Sequence, residues 1–412
     1  MPQISQFLDF ISWIMLRTKE SMSAVVVALV FSILATSLVS AQTFTTLYSF
    51  GFGPDGANPQ SRLVRDAKGN LYGTTVSGGS AKSCPAGCGT VFRLDPSGTE
   101  TVLHSFRGGT DGANPYAGLI RDTKGNLYGT TLAGGKHSAG TVFKLDPQGK
   151  ETVLYSFTGG ADGGFPYASL ILDHAGNLYG TTYWGGSCGN YYGCGTVFKV
   201  APSGKETVLY SFTAANDGAF PYAGLIRDAK GNFYGTTFGG GDGHCQPTGC
   251  GTVFKLDTTG KESVLHFFTP NNADGFRPYG SLIRDKLGNL YGTTFFGGPG
   301  GLGTVFRLDP SGTETIIYGF TGGADGGLPY AGVIMDAAGN LFGSTEQGGT
   351  LFSGTVFKVD TTGTESVLYS FTFGSDGGDP FGGLIQDSAG SLYGTASSGG
   401  DKSNGVVFKI AP

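Results

Sequence analysis

The sequence predicts an all-β chain folded as a single seven-bladed β-propeller. Three observations carry that expectation: a unit recurs seven times at intervals of 51–57 residues, each copy reads as four short strands, and the two ends of the array supply complementary strands.

The repeat is anchored on LYGTT, which starts at Leu71 and recurs at Leu127, Leu178, Phe233, Leu290, Leu341 and Leu392. An Asp-Gly pair precedes each copy, at Asp55, Asp111, Asp162, Asp217, Asp274, Asp325 and Asp376. Four residues after that Asp stands a Pro, and seven residues after the Pro another Asp, in all seven copies. The first strand is of the type AGLIRD (Ala117–Asp122), and an Asp-x-x-Gly-Asn turn leads from it to NLYGTT. GTVFKLD (Gly140–Asp146) and ETVLYSF (Glu151–Phe157) follow, joined by a Pro-x-Gly turn. β-Branched and aromatic residues between Gly/Asn/Asp turns are the strand and hairpin signal. In the first copy the strands are expected near Arg62–Asp66, Asn70–Thr75, Gly89–Asp95 and Thr99–Phe106. Strands are expected to fill about half of residues 42–412.

A solenoid is the competing architecture, but it needs capping repeats. Here the array begins with only a fourth strand, Thr45–Phe50, and ends with only a third, Gly405–Ile410. Pairing of 45–50 with 405–410 completes the last blade and removes an open sheet edge.

The unit DG-x-x-PYAGLIRD-x-x-GNLYGTT…GTVFKLD-x-x-G-x-ETVLYSF resembles the Gloeo-Verruco (GLoVer) tandem repeat of exported bacterial proteins, over essentially all of 44–412. Its strand order is similar to that of NHL-type propeller repeats. The resemblance implies an exported bacterial repeat protein and carries no settled activity. Relatives often end in an anchoring segment; this chain stops two residues after its final strand, so none is expected.

Composition agrees with a folded chain. There are 75 Gly and 18 Pro, yet aromatics make up 13% and charged residues only 14%, the reverse of a disordered balance. A net charge of -5 argues against a nucleic-acid partner. Residues 1–41 read as a signal peptide cleaved after Ala41, with Arg17 and Lys19 before an apolar run and small residues at the cleavage site. The alternative is a retained anchor, for which the run is short. The mature chain, 42–412, is expected to be one propeller, secreted or periplasmic, and monomeric.

By strand parity, the loop between the second and third strands shares a face with the loop into the next blade. That two-to-three loop is enlarged in copies 1, 3 and 4, and all six cysteines lie there: Cys84 and Cys88, Cys188 and Cys194, Cys245 and Cys250. Three local disulfides are expected, rather than a metal site. After each repeat Pro stand Gln60, Tyr116, Tyr167, Tyr222, Tyr279, Tyr330 and Phe381, read either as an aromatic platform at the channel mouth or as packing between blades. The unrepeated loop carrying Trp184, Tyr191 and Tyr192 is the sharper candidate for ligand contact. The Asp-Gly aspartates read as turn formers, and the Glu opening each fourth strand (Glu100, Glu151, Glu206, Glu262, Glu314, Glu365) as a solvated hairpin charge. No HExxH, Gly-x-Ser-x-Gly or phosphate loop occurs. The reading is therefore a binding module for carbohydrate or a cell-surface protein, with no catalytic set, metal or cofactor. A ligand-free structural protein is the alternative, and a propeller lyase or lactonase a more distant one.

Overall fold

The computed structural model describes residues 42–412, apart from 82, 190–192, 242–244, 246–247 and 272–273. The expected leader, 1–41, lies outside the described residues. Seven four-stranded antiparallel sheets stand in a ring as a seven-bladed propeller, and no helix occurs among the described residues. Blade 1 runs outward from Val64–Arg65 through Leu71–Thr75 and Thr90–Leu94 to Glu100–Ser105. Blade 7 combines Ile385–Gln386, Leu392–Ala396 and Val406–Ala411 with Thr43–Ser49 as its outer strand. Their register runs from Thr43↔Ala411 to Ser49↔Val406, so the N-terminal strand closes the ring as expected.

The inner strands are two residues long, shorter than 62–66, and strands take roughly a third of 42–412 rather than half. The segment after each Pro does not pair along its whole length with its own blade. In blade 1 side chains stand in for part of the ladder: Ser61 Oγ accepts from Thr74 N–H at 3.1 Å, and Thr74 Oγ1 donates to Ala117 O of the next blade at 3.1 Å.

Each repeated residue has a task. The Gly of LYGTT lets the third-strand Phe pass over it: a Cβ on Gly73 would stand 2.6 Å from the Phe92 ring. The Tyr of LYGTT donates to the turn Asp, as Tyr72 does to Asp66 at 3.1 Å, and Asn70 and Lys68 N–H groups donate to the same carboxylate. Burial pushes Asp66 up, but these hydrogen bonds outweigh it and hold its carboxyl below the usual value. The last Thr bonds the third-strand Thr, as in Thr75 with Thr90 at 2.9 Å.

Between blades, the Phe ending each fourth strand meets the third-strand Phe of the next blade edge to face. Phe50–Phe92, Phe106–Phe143, Phe157–Phe198 and Phe212–Phe254 lie 5.0–5.1 Å apart, and Phe268–Phe306, Phe320–Phe357 and Phe371–Phe408 5.0–5.3 Å. Every one of these rings is essentially inaccessible to solvent. The Asp-Gly aspartate ties the same joint from above: Asp162 accepts from Tyr155 O–H and from Thr158 N–H, both at 2.9 Å.

The fourth-strand glutamates correct the sequence reading. They are not solvated but half-buried, and one Oε1 of each is enclosed without a hydrogen-bond partner among the described residues. The twist of the blade tucks each against its neighbour. Burial, then the charge of Asp162, pushes the Glu206 carboxyl up to about 7, and the other five are raised to the same value.

Two outcomes follow from this frame. Phe198→Ala should lower stability by about 3–5 kcal/mol, read from the urea midpoint, because it empties a closed inter-blade site. Phe352→Ala, at an exposed ring, should change stability by less than about 0.5 kcal/mol. The second outcome concerns pH. The folded glutamate pKa lies above the unfolded one, so the folded state binds more protons and stability falls as pH rises from about 4.5 through about 7. The turn aspartates, held low, lose their contribution only on acidification below their ordinary range. The melting temperature should therefore be higher at pH 5 than at pH 8. Glu206→Gln, which mimics the protonated form, should raise it at pH 8 and leave it nearly unchanged at pH 5.

Candidate aromatic face and central channel

The two loop types share one face, as strand parity requires. The loop after each Asp-Gly pairs with the two-to-three loop of its own blade, as Ala57 with Ser77, and bonds back to the preceding blade, as Asn114 N–H to Cys88 O at 2.8 Å. Each repeat Pro covers a third-strand Gly of the preceding blade: a Cβ on Gly195, at φ +89°, would stand 2.5 Å from Pro221. That contact fixes the entry of the chain to the channel. Cys84–Cys88, Cys188–Cys194 and Cys245–Cys250 are disulfide-bonded, each within its enlarged loop.

The residues after the prolines converge on the channel mouth. Tyr167 stacks on Tyr222 at 4.4 Å and Tyr279 on Tyr330 at 4.8 Å, and the hydroxyls of Tyr222 and Tyr330 hydrogen-bond across the mouth. Tyr116 meets Tyr167 at 5.4 Å and Phe381 meets Tyr330 at 5.0 Å. The rings of neighbouring blades thus pack on one another around the opening, and Tyr222 and Tyr330 meet across it. Burial, then the neighbouring Tyr116, pushes the Tyr167 hydroxyl up to about 12; Tyr279 rises to about 12 through burial and then Tyr183. These hydroxyls stay protonated at neutral pH and act as hydrogen-bond donors.

The chain of contacts stops on either side of Gln60, the one blade without an aromatic ring at this position. Two residues further along each blade the channel is lined by Arg62, Gly118, Ser169, Gly224, Ser281, Gly332 and Gly383. The enclosed space is about 780 Å³.

Trp184 is half-buried, packed edge-on to Phe165 at 4.9 Å and 5.7 Å from Tyr183. Tyr191 and Tyr192 lie outside the described residues. Tyr183 continues to the mouth, 5.5 Å from Tyr167 and 5.9 Å from Tyr222. Sequence reasoning missed its counterparts Phe238 and Phe295, which stand at the same place after Thr-Thr in blades 4 and 5 and touch Tyr279 at 5.0 and 5.1 Å. The other blades carry Val76, Leu132, Glu346 and Ser397 there, and that unevenness was the available signal. A half-buried aromatic crescent therefore lies over blades 3–5.

The residue before each repeat Pro also faces this surface. It is Asn58, Asn114, Phe165, Phe220, Arg277, Leu328 or Asp379, always at φ 53–57°. Such a conformation is costly for residues other than glycine, by roughly 1 kcal/mol or more each. The backbone is invariant here while the side chain varies. In blades 3–5 the position holds Phe165 against Trp184, Phe220 against Tyr183 at 5.4 Å, and Arg277 over Phe238 at 5.1 Å.

A sequence profile of the Gloeobacter/Verrucomicrobia repeat matches residues 30–159, 81–268 and 243–412. The chain belongs to this repeat family. No curated protein matches it. Among solved structures, it is similar to the extracellular domain of a candidate one-component system from B. thetaiotaomicron, at 13% identity and TM-score 0.54, over 89% of this chain and 40% of that one. It is also similar to a puromycin hydrolase, at 12% identity and TM-score 0.52, over 85% of this chain and 52% of that one. The chain thus spans less than two thirds of the length of these two structures, and at such identities the likeness is one of fold.

Peptide mapping of the non-reduced protein should recover three links, 84 with 88, 188 with 194 and 245 with 250, and no link between loops. Tyr222→Phe should cost about 1 kcal/mol through loss of the cross-mouth hydrogen bond.

Proposed function

We propose that the protein is an exported binding module that takes its ligand on the aromatic crescent over blades 3–5. One observation carries the reading: Tyr183, Trp184, Phe220, Phe238 and Phe295 are half-buried on one side of one face, in positions that the remaining blades fill with other residue types. Rigid, partly exposed aromatic surfaces serve contact, because they lose little conformational entropy on binding. Two enlarged loops flank the crescent, each closed by a disulfide, which keeps the surface preformed. The ligand class is carbohydrate, whose apolar ring faces stack on aromatic side chains while its hydroxyls meet Arg277 and the tyrosines. Export is supported by the leader-like residues 1–41 together with three disulfides, which form and persist in oxidising compartments.

Trp184 is the sole tryptophan of 42–412, so intrinsic fluorescence reports this site. Titration with a panel of bacterial and plant polysaccharides should shift Trp184 emission. Tyr183→Ala combined with Trp184→Ala should weaken binding at least tenfold, about 1.4 kcal/mol. Saccharide binding that leaves the emission unchanged and survives both substitutions would place the ligand elsewhere.

A further inference from the structure

Beneath the aromatic mouth, we infer that the central channel is a binding site for a small oxyanion, a carboxylate or phosphate group held by Arg62. This site is separate from the crescent and does not depend on it.

Blade 1 departs from the repeat at two positions of one strand. Gln60 stands where the others have Tyr or Phe, and Arg62 where the others have Gly or Ser. Ser61 and Leu63 are buried whereas Gln60 and Arg62 are not, and both of these unusual residues line the channel. The charged residues lining the channel are Arg62, Arg65 and Arg121; no carboxylate lines it. Arg65 and Arg121 are committed, each lying over a neighbouring tyrosine, Tyr393 at 5.8 Å and Tyr72 at 5.7 Å. Arg62 is not: its guanidinium makes no hydrogen bond or ion pair with any described residue. Its side chain is exposed to the channel, and partial desolvation by the surrounding protein lowers its pKa from the usual arginine value. A guanidinium that faces the channel with no carboxylate beside it leaves its fork of N–H donors open to an anion.

The surroundings make room for such a group. The stem of Arg62 lies along Gly383, where a Cβ would stand 3.6 Å away. Ser169 and Ser281 bring hydroxyls to the same level of the channel. A planar guanidinium fork matches the paired oxygens of a carboxylate or phosphate. The space, about 780 Å³, accepts a molecule as large as a monosaccharide acid.

The test is thermal unfolding and calorimetry of the residue 42–412 protein with sodium phosphate, sodium acetate, sodium glucuronate and glucose, at constant ionic strength. The three anions should bind and raise the melting temperature, and glucose should do neither. Glucuronate tighter than acetate would add the sugar ring to the ligand, whereas phosphate tightest would make it a phosphate site. Arg62→Gln should weaken anion binding at least tenfold, and Arg62→Lys, which keeps the charge without the fork, by less. Should Arg62→Gln fail to fold, Gly383→Asp provides the second variant. It places a carboxylate beside Arg62 where a Cβ meets only that side chain, and it should abolish anion binding while raising the melting temperature. Trp184→Ala should leave anion binding unchanged. No anion binding, or binding that persists in both Arg62→Gln and Gly383→Asp, overturns the inference.

Discussion

The edge-to-face meeting of one phenylalanine from each blade with one from the next is the interaction on which the rest depends. Seven such pairs, one at each joint between blades, form a belt, and each pair is worth about 0.5–1.5 kcal/mol beyond the area it buries. The pair fixes what can stand around it. The second-strand residue below it must be glycine, because a side chain at Gly180 would stand 2.8 Å from the Phe198 ring. The belt passes through the chain termini, since Phe50 follows the N-terminal strand and Phe408 lies on the C-terminal one. Closure is therefore part of the same packing and not an addition to it.

A frame built from repeated residues leaves a few positions free to differ, and those positions build the surface. The residue before each Pro, the residue after Thr-Thr and the two inward residues of the inner strand share backbone geometry across blades while their side chains change. Blades 3–5 fill the first two with aromatics and Arg277. Blade 1 fills the last two with Gln60 and Arg62. The strained backbone before each Pro is tolerated because its N–H is tied to the preceding blade, as Phe220 N–H is to Cys194 O at 2.8 Å.

The blade count, the closing strand and the disulfides were legible in the sequence because aligning the copies exposes equal spacings, the two partial ends and one cysteine pair in each enlarged loop. The inner strands were not: their residues look like strand formers, yet only two residues of each pair with the second strand, and in blade 1 the Thr74 and Ser61 side chains bond where the ladder stops. The glutamates were misread because hairpin position gives no information on the twist that tucks Glu206 beneath its neighbour. Tyr222 and Tyr330 were visible as members of a ring, but their meeting across the mouth depends on the channel radius, which no spacing reveals. Arg62 was hidden inside a strand motif, where attention to the repeat obscured the one copy that breaks it.

The claim that one continuous belt holds all seven blades is tested most directly by native-state hydrogen exchange. The account predicts that amides of Thr43–Ser49, at the very start of the propeller, exchange with the same free energy as those of the equivalent outer strands Glu151–Ser156 and Glu206–Ser211, close to the global stability. Rapid exchange confined to Thr43–Ser49 and Val406–Ala411, with the other blades protected, would mean that the ring opens at its seam and would contradict the account.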